Sequence, residues 1–278
     1  MWRRLFYVII LIVLTCALSW FVIQPSHDRE WRADHSRLPA ITETDGIYTI
    51  NHLRNWTYGT GDFATSTEWL NVTLDPAELE RVWLIMEPFG NNPAIAHTML
   101  SFEFTDGNGY VVSVEARREV GEGYRALLAA LVPTYEYLYV WSTERDMFGK
   151  SQYFTGDQLY MYPLDLTPRQ AAALLTAFAT DTMALEAHPR WYHTLLANCT
   201  NVLVRVINGL QPGILPWDIA WLLPGYADTY LYEEGWLAVN QPFAEAEDAA
   251  HLSPHIDELY RYTDPATFSK QLRQRLSY

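Results

Sequence analysis

Residues 92–119 read NPAIAHTMLSFEFTDGNGYVVSVEARRE, with two strand-like runs on either side of TDGNG. The turn is rich in residues that accept positive φ angles, so the segment predicts a β-hairpin centred near Asp106. Alternation along the first strand predicts one core-facing set of side chains: Thr98, Leu100, Phe102 and Phe104. His97 starts that strand on the opposite face, and we expect it to point away from the densest apolar side.

Outside the hairpin, the sequence predicts a mixture of strands and helices. Strand-like runs occupy residues 46–60, 136–143 and 157–164. Helix start signals precede two further segments: Asp75, Pro76 and Glu78 open a predicted helix over 74–87, and Thr167, Pro168 and Gln170 open one over 165–187. Strands mixed with helices in this order predict an α+β domain.

A second segment, WYHTLLANCTNVLVRVING at residues 191–209, contains the candidate nucleophile. Asn198 is a favoured N-cap residue, and the pattern predicts a helix from Cys199 to about Asn208 with Gly209 as its stop. A thiol in the first helical turn is favoured as thiolate by the helix dipole and the unpaired backbone N–H groups. The competing interpretation places Cys199 in the core of an amphipathic helix, together with Val202 and Val206.

A thiol nucleophile requires a base, which is commonly oriented by a third group. His97 is the candidate base, whereas His193 is interpreted as local packing. A hairpin centred on Asp106 sets Glu115 opposite His97, and a turn shifted by one residue brings Arg117 nearer instead. The carboxylate is the preferred third member, because it would orient and stabilise an imidazolium. The alternative for EARRE, residues 115–119, is a solvated charge cluster.

The N-terminus predicts a membrane anchor. Leu5 to Ile23 form an apolar run of 19 residues, preceded by Arg3 and Arg4. That length can span a bilayer, and the charges predict a cytoplasmic N-terminus with the remainder translocated. The alternative is a cleaved signal peptide with an apolar region from Leu5 to Ala17 and cleavage after Ser19.

The exported part is acidic and contains one cysteine. Two of the 19 Lys and Arg residues precede the anchor, which leaves 17 against 33 Asp and Glu and a net charge of −16. This balance argues against nucleic acid as a partner. Cys199 has no exported partner for a disulfide, since Cys16 lies within the anchor. We expect no metal site and no cofactor: no HExxH pattern occurs, and Pro254 interrupts the pair His251 and His255.

Five ordered motifs resemble the bacterial family that carries the Lnb N-terminal periplasmic domain: RNWTY, AHTMLSFEFTDGNG, VSVEARREVGEGY, YVWSTERD and YHTLLANCTN. The similarity runs from Gly46 to Asn208 and extends to Gly225. Lnb is a lipoprotein N-acyltransferase. The resemblance implies a permuted NlpC or papain-like thiol fold, in which the histidine strand precedes the cysteine helix.

The resemblance also implies roles for individual residues. Cys199 takes the nucleophile role and His97 that of the base, with Glu115 as the third member of the site. Arg117 or Arg118 would contact substrate. Tyr192 and Asn198 flank the nucleophile and would shape its pocket.

These expectations divide the chain into four parts: an anchor or signal segment at 1–24, a linker at 25–45, the thiol-enzyme domain at 46–225 and a C-terminal extension packed on it at 226–278. The predicted function is that of a periplasmic acyltransferase or acyl hydrolase. It would be held in the inner membrane by residues 5–23 and act on lipoprotein or phospholipid. The alternatives are a cell-wall amidase or peptidase and a non-enzymatic envelope scaffold.

Overall fold

The computed structural model describes residues 2–60, 62–90 and 92–276. Its helices are α1 (Trp2–Val22), α2 (Ala126–Leu131), α3 (Glu144–Lys150), α4 (Pro168–Ala187), α5 (Cys199–Leu210), α6 (Ala227–Glu233), α7 (Phe243–Ala250), α8 (Ser253–Leu259) and α9 (Pro265–Arg273). The strands are β1 (Ala40–Thr44), β2 (Ile47–Gly59), β3 (Asp62–Leu74), β4 (Leu79–Pro88), β5 (Ala96–Phe104), β6 (Gly109–Arg117), β7 (Glu136–Thr143) and β8 (Tyr160–Pro163).

The eight strands form one sheet in the order β1-β2-β7-β6-β5-β4-β8, with β3 paired to β2. Every pairing is antiparallel except the one between β2 and β7. The predicted hairpin lies at the centre of this sheet. Glu103 pairs with Gly109 and Met99 with Ser113, which confirms the register centred on Asp106. The chain is thus a mixed α+β protein with a sheet packed on helices.

Helices cover both faces of the sheet. On one face, Leu100 and Phe102 of β5 join a core with Phe178 of α4 and Leu203 of α5. On the other face, Met99 belongs to a second core with side chains from α3, α8 and α9: Met147, Phe148, Ile256, Leu259, Phe268 and Leu272. The His97 face of β5 thus belongs to the smaller of the two cores, in agreement with a side chain that points away from the densest apolar side, although this face is buried too.

The helix predicted over 74–87 is wrong. Asp75 does cap, accepting a hydrogen bond from the backbone of Ala77, but only a 3-10 turn over Pro76–Glu78 follows. The chain then enters β4, which lies between β5 and β8. Its middle residues are buried without alternation: Val82, Trp83, Leu84, Ile85 and Met86. A strand covered on both faces shows such a continuous apolar run, which periodicity cannot distinguish from a short helix.

The segments before and after the predicted domain contribute to its structure. Residues 25–45, predicted as a linker, contain a 3-10 turn over Ala33–His35 and the edge strand β1. Residues 226–278 contain α6 to α9 and supply part of the second core. Helix α1 is the one described helix long and apolar enough to cross a membrane, and none of its residues is buried.

Candidate active site

Cys199 is the first residue of α5, as the sequence predicts. The Asn198 side chain caps the helix by accepting a hydrogen bond from the backbone N–H of Asn201 at 2.7 Å. The same side chain donates to the carbonyl oxygens of Thr194 and Trp221, at 3.1 and 3.2 Å. Both the oxygen and the nitrogen of the Asn198 side chain are thereby held by hydrogen bonds. The cap places Cys199 where the helix dipole favours a thiolate.

The Cys199 sulfur lies where β5 and β6 stop pairing. The last pair between these strands joins Met99 to Ser113, whereas β5 continues alongside β4 as far as Ala96. In that final stretch, the backbone N–H of Thr98 donates to the sulfur, and the carbonyl oxygen of Ala96 lies 4.0 Å from it. Helix α5 thus inserts the thiol at the end of the central hairpin, with only 5% of the residue exposed.

His97 is hydrogen-bonded to Cys199, although the two residues are 102 positions apart. The Nε2 atom of the imidazole lies 2.7 Å from the Oγ atom of Ser113 on β6. Because Nε2 is engaged by the serine, Nδ1 is the ring nitrogen available to the thiol. The Phe89 ring stacks on the imidazole at a centroid distance of 6.4 Å. A strand, a neighbouring hydroxyl and an aromatic ring together fix the orientation of this imidazole.

The two residues shift each other's pKa. Burial alone would raise the pKa of Cys199, but the charge of His97 and its hydrogen bond lower it to about 7. Burial alone would lower the pKa of His97, but the Cys199 charge and hydrogen bond, aided by the Glu87 and Glu115 carboxylates, raise it to about 9. Between these values the pair exists as thiolate and imidazolium, the state that a thiol nucleophile requires.

Glu115 does not make the contact predicted for it. Both of its carboxylate oxygens accept from Lys150 Nζ at 3.0 Å, and one lies 3.2 Å from Nε2 of His35. Burial raises the pKa of Glu115, yet Lys150 and His35 outweigh it and hold that pKa well below its usual range. The third member of the site, which is hydrogen-bonded to His97, is therefore Ser113. Glu115 acts on the imidazole only through its charge.

A second carboxylate, Glu87, is the β4 partner of His97 in the sheet. It is buried, and its Oε1 atom accepts from Thr155 at 3.2 Å. Burial raises the pKa of Glu87, while the His97 charge opposes that rise. Sequence reasoning missed Glu87, together with Ser113, His35 and Lys150. The register alone could have indicated Ser113, since it lies on the His97 face two residues before Glu115.

The two arginines predicted to contact substrate belong to the packing of residues 25–38. Arg117 is 2% exposed; its Nε donates to the carbonyl oxygen of His35, and its guanidinium lies 4.1 Å from the centroid of the Trp31 ring. The backbone N–H of Arg118 donates to Nδ1 of His35 at 3.0 Å. The structure thus uses Arg117 to hold the N-terminal segment against β6 and does not bring its guanidinium to Cys199.

Tyr192 lies beside Cys199, as the resemblance implies. Its hydroxyl is hydrogen-bonded to the backbone N–H of Cys199 and to the side chain of Tyr124. Burial and the Cys199 charge raise the pKa of Tyr192 well above its usual value, so the phenol keeps its proton. The Cys199 N–H thus donates to a protonated hydroxyl that lies beside the sulfur.

An apolar cavity of about 320 Å³ is lined by Thr98 and Thr200, two neighbours of the thiol, whereas Cys199 itself is not among its lining residues. The hydroxyls of Thr98 and Thr200 are 2.9 Å apart, and Thr200 Oγ1 lies 3.8 Å from the Cys199 sulfur. The other walls are mostly hydrocarbon from the sheet, α4, α5 and the C-terminal region, and include Leu100, Leu174, Leu203, Ile207, Leu231 and Trp236. A long apolar group attached to a reacting carbonyl would fit such a space.

No group of three or more His, Cys, Asp and Glu side chains that could hold a metal ion occurs within residues 2–60, 62–90 and 92–276.

Comparison with known proteins identifies the family. The family model of the Lnb N-terminal periplasmic domain matches residues 65–226, which is more than half of the chain. No curated protein and no solved structure matches. The matched region includes β5, β6, α4 and α5, and with them Cys199, His97 and Ser113. The chain belongs to the family of the Lnb N-terminal periplasmic domain.

Proposed function

We propose that this protein is a membrane-anchored, cysteine-dependent acyltransferase or acyl hydrolase. The observation that carries the proposal is the hydrogen-bonded Cys199 and His97 pair beside an apolar cavity of about 320 Å³. We further propose a permuted papain-like fold, in which the His97 strand precedes the Cys199 helix, and an inner-membrane location with the domain in the periplasm.

In the first half-reaction, the Cys199 thiolate attacks the carbonyl carbon of an acyl ester. The negative charge passes to the carbonyl oxygen, where the Tyr192 hydroxyl would donate to it while accepting from the Cys199 N–H. The tetrahedral intermediate collapses by breaking the bond to the alcohol oxygen, which takes a proton from the His97 imidazolium. The products are a free alcohol, an S-acyl enzyme and a neutral imidazole.

In the second half-reaction, an amine or water attacks the thioester carbonyl. Neutral His97 takes the proton of the attacking group, and collapse of the intermediate expels the Cys199 thiolate. An amine acceptor gives an amide, and water gives a free carboxylic acid. The imidazolium and thiolate pair is then restored, so no proton is gained or lost over the cycle.

The apolar cavity favours an acyl substrate over the stem peptide of the cell wall. Its walls are largely aliphatic, and the polar groups of a peptide would be buried there without partners. A fatty acyl chain has no such groups, and its burial contributes roughly 0.8 kcal/mol for each methylene. We therefore propose phospholipid or lipoprotein as the substrate class.

The test is intact-mass spectrometry of the full chain after incubation with phosphatidylethanolamine in mixed micelles. We expect a hydroxylamine-sensitive acyl adduct in the native protein and in Cys16→Ser, and none in Cys199→Ala. Absence of an adduct with phospholipid and with diacylated lipopeptide, on protein whose Cys199 still reacts with iodoacetamide, would overturn the proposal. Cleavage of muropeptides under the same conditions would favour the amidase alternative instead.

A further inference from the structure

An exposed apolar surface lies on two segments close to Cys199. One segment is α2, whose residues Leu127, Leu128 and Leu131 are exposed, Leu127 by 76%. The other is the turn at 193–197, where Leu195 and Leu196 are exposed, Leu196 by 72%. These five leucines are here named the leucine surface. Single exposed leucines are ordinary, whereas a cluster rimmed by polar residues marks an interaction site.

The two segments are joined into one surface. Thr194 Oγ1 donates to the carbonyl oxygen of Ala126 at 2.7 Å, and its hydroxyl also lies 3.2 Å from that of Tyr124. Nδ1 of His193 accepts from the backbone N–H groups of Leu195 and Leu196, at 3.1 and 3.3 Å. The backbone N–H groups of Leu195 and Leu196 are thus satisfied internally, which lowers the cost of bringing this irregular segment to the lipid boundary.

The leucine surface adjoins the outer end of the anchor. Trp20, in the last turn of α1, donates from Nε1 to the carbonyl oxygen of Leu131 at 3.1 Å, and its ring lies 5.0 Å from that of His193. Trp191 donates to the carbonyl oxygen of Ile23 at 3.3 Å. Two independent contacts therefore set the height of both segments relative to the anchor.

The anchor itself indicates where the membrane surface lies. Trp2 and Trp20 stand 18 residues apart on α1, or about 27 Å along a helix, close to the thickness of a bilayer core. Tryptophans are enriched at the two membrane interfaces. Trp20 then marks the outer membrane interface. The leucine surface lies at the same level, because Trp20 contacts Leu131 of α2 and His193 of the turn.

Charge is consistent with this placement. The exported part has a net charge of −16, yet residues 120–133 and 190–197 together contain two arginines and a single glutamate. Acidic side chains would be repelled by anionic headgroups and would be costly to bring into the interface. Their scarcity on these segments leaves a surface that lipid can cover.

We propose that the leucine surface inserts into the outer leaflet at the boundary between headgroups and acyl chains, as a second membrane contact beside α1. The occupant is lipid, and a second copy of the chain is the competing occupant. Tyr124 borders this surface and is hydrogen-bonded to Tyr192, whose hydroxyl contacts the Cys199 N–H. The surface therefore borders residues linked to Cys199 by hydrogen bonds, and docking there brings the site toward the lipid.

The test uses the full chain in liposomes of phosphatidylethanolamine and phosphatidylglycerol, with both native cysteines replaced by serine. A nitroxide is attached at Leu127→Cys or Leu196→Cys. The matched control is Ala77→Cys, an exposed position next to the hairpin turn at the opposite end of β5. Collision rates with dioxygen, which partitions into lipid, and with a nickel chelate, which stays in water, are then measured at each site.

We expect dioxygen collisions to dominate at 127 and 196 and nickel collisions to dominate at 77. Nickel-dominated collisions at all three sites would show the leucine surface in water and overturn the proposal. Low collision rates with both reagents at 127 and 196 would show that protein covers them, and would overturn it in favour of a second copy. The measurement needs no catalysis, so its outcome is independent of the proposed function.

Discussion

The Nε2 atom of His97 lies 2.7 Å from the Oγ atom of Ser113, and this contact orients the imidazole that is hydrogen-bonded to Cys199. Ser113 stands on the strand next to His97, two residues away from the carboxylate expected in this role. A hydroxyl can accept a hydrogen bond from Nε2 without adding a negative charge of its own. The charge that favours the imidazolium comes instead from Cys199, Glu87 and Glu115.

Replacing Ser113 by Ala should slow formation of the S-acyl enzyme about tenfold, which corresponds to the loss of about 1.4 kcal/mol from one oriented hydrogen bond. The reason is that Nε2 loses its partner and the ring becomes free to turn. Single-turnover acylation measures the rate. We also expect the pH midpoint of Cys199 alkylation to change, because His97 sets the pKa of this thiol.

Ser142→Ala is the matched control for Ser113. Ser142 is a buried serine of β7, and its hydroxyl has no hydrogen-bond partner among the described residues. We expect its removal to leave the acylation rate near that of the native protein. Equal losses in the two variants would mean that Ser113 serves packing only.

The thiolate of Cys199 should form with a midpoint near pH 7. Because the unprotonated sulfur reacts, alkylation by iodoacetamide should rise as the pH increases through this value. In His97→Ala the favourable charge is lost and burial remains, so the midpoint should move above the ordinary thiol range. The measurement is the alkylation rate from pH 5 to pH 10 in a Cys16→Ser background.

His188→Ala, at an exposed histidine, controls for a general effect of removing an imidazole. Its alkylation profile should match that of the native protein. Should His97→Ala also retain a midpoint near pH 7, the two side chains would not be coupled in solution, and the proposed pair would be refuted.

Ala173→Phe should shorten the acyl chain that the protein accepts. Ala173 lines the apolar cavity, and a phenyl ring there would occupy part of the volume proposed for the acyl chain. We expect transfer from long-chain donors to fall more than transfer from short-chain donors, with the Cys199 alkylation rate unchanged. Competition between donors of different chain length, read by mass spectrometry, measures the preference.

The neighbouring residue provides the control, since Ala172 is on the same helix but outside the cavity lining. Ala172→Phe should retain the native chain-length preference. A preference that is the same in all three proteins would place the acyl chain elsewhere.

His35 should make the folded state sensitive to acid. Its Nδ1 accepts from the backbone N–H of Arg118, so the proton lies on Nε2 and points to Glu115. Burial lowers the pKa of His35 below 6.5, and the hydrogen bond with Glu115 offsets only part of that effect. The unfolded chain then binds the additional proton first, and stability should fall as the pH drops below about 6.5, by at most about 1.4 kcal/mol for each pH unit.

His35→Gln keeps a donor for Glu115 and an acceptor for Arg118 but does not titrate. We expect this variant to lose less stability than the native protein between pH 7 and pH 5.5, as followed by thermal unfolding of the full chain in detergent. His188→Gln is the exposed control and should retain the native slope. Equal losses of stability between pH 7 and pH 5.5 in all three proteins would contradict the assignment of the acid sensitivity to His35.

Local signals predicted some elements well. The capping box formed by Thr167 and Gln170, the Asn198 cap and the hairpin centred on Asp106 each depend on residues close in sequence, and each is present in the structure. The error at 74–87 had a different origin. The Asp75 signal is local and real, but the strand that follows is dictated by burial between β5 and β8, which no local pattern reports.

The site was predictable only in part, for the same reason. Cys199 and His97 could be proposed because each has a distinctive local setting. Glu115 was chosen from the register as if the two strands stayed paired, yet pairing ends at Met99 and Ser113. The partners that Glu115 takes instead, Lys150 and His35, come from α3 and from the N-terminal segment. Only the packing of those distant elements reveals them.

The segment that follows α1 is hydrogen-bonded to the domain within a few residues of the end of the helix. The backbone N–H of Ser26 donates to Glu136 at 2.8 Å, and Ile23 is already bonded to Trp191. With α1 in the membrane, as proposed, a body fixed so soon after the helix would stay close to the lipid surface. It would then meet membrane-bound molecules by lateral diffusion in two dimensions, at a far higher effective concentration than free ones.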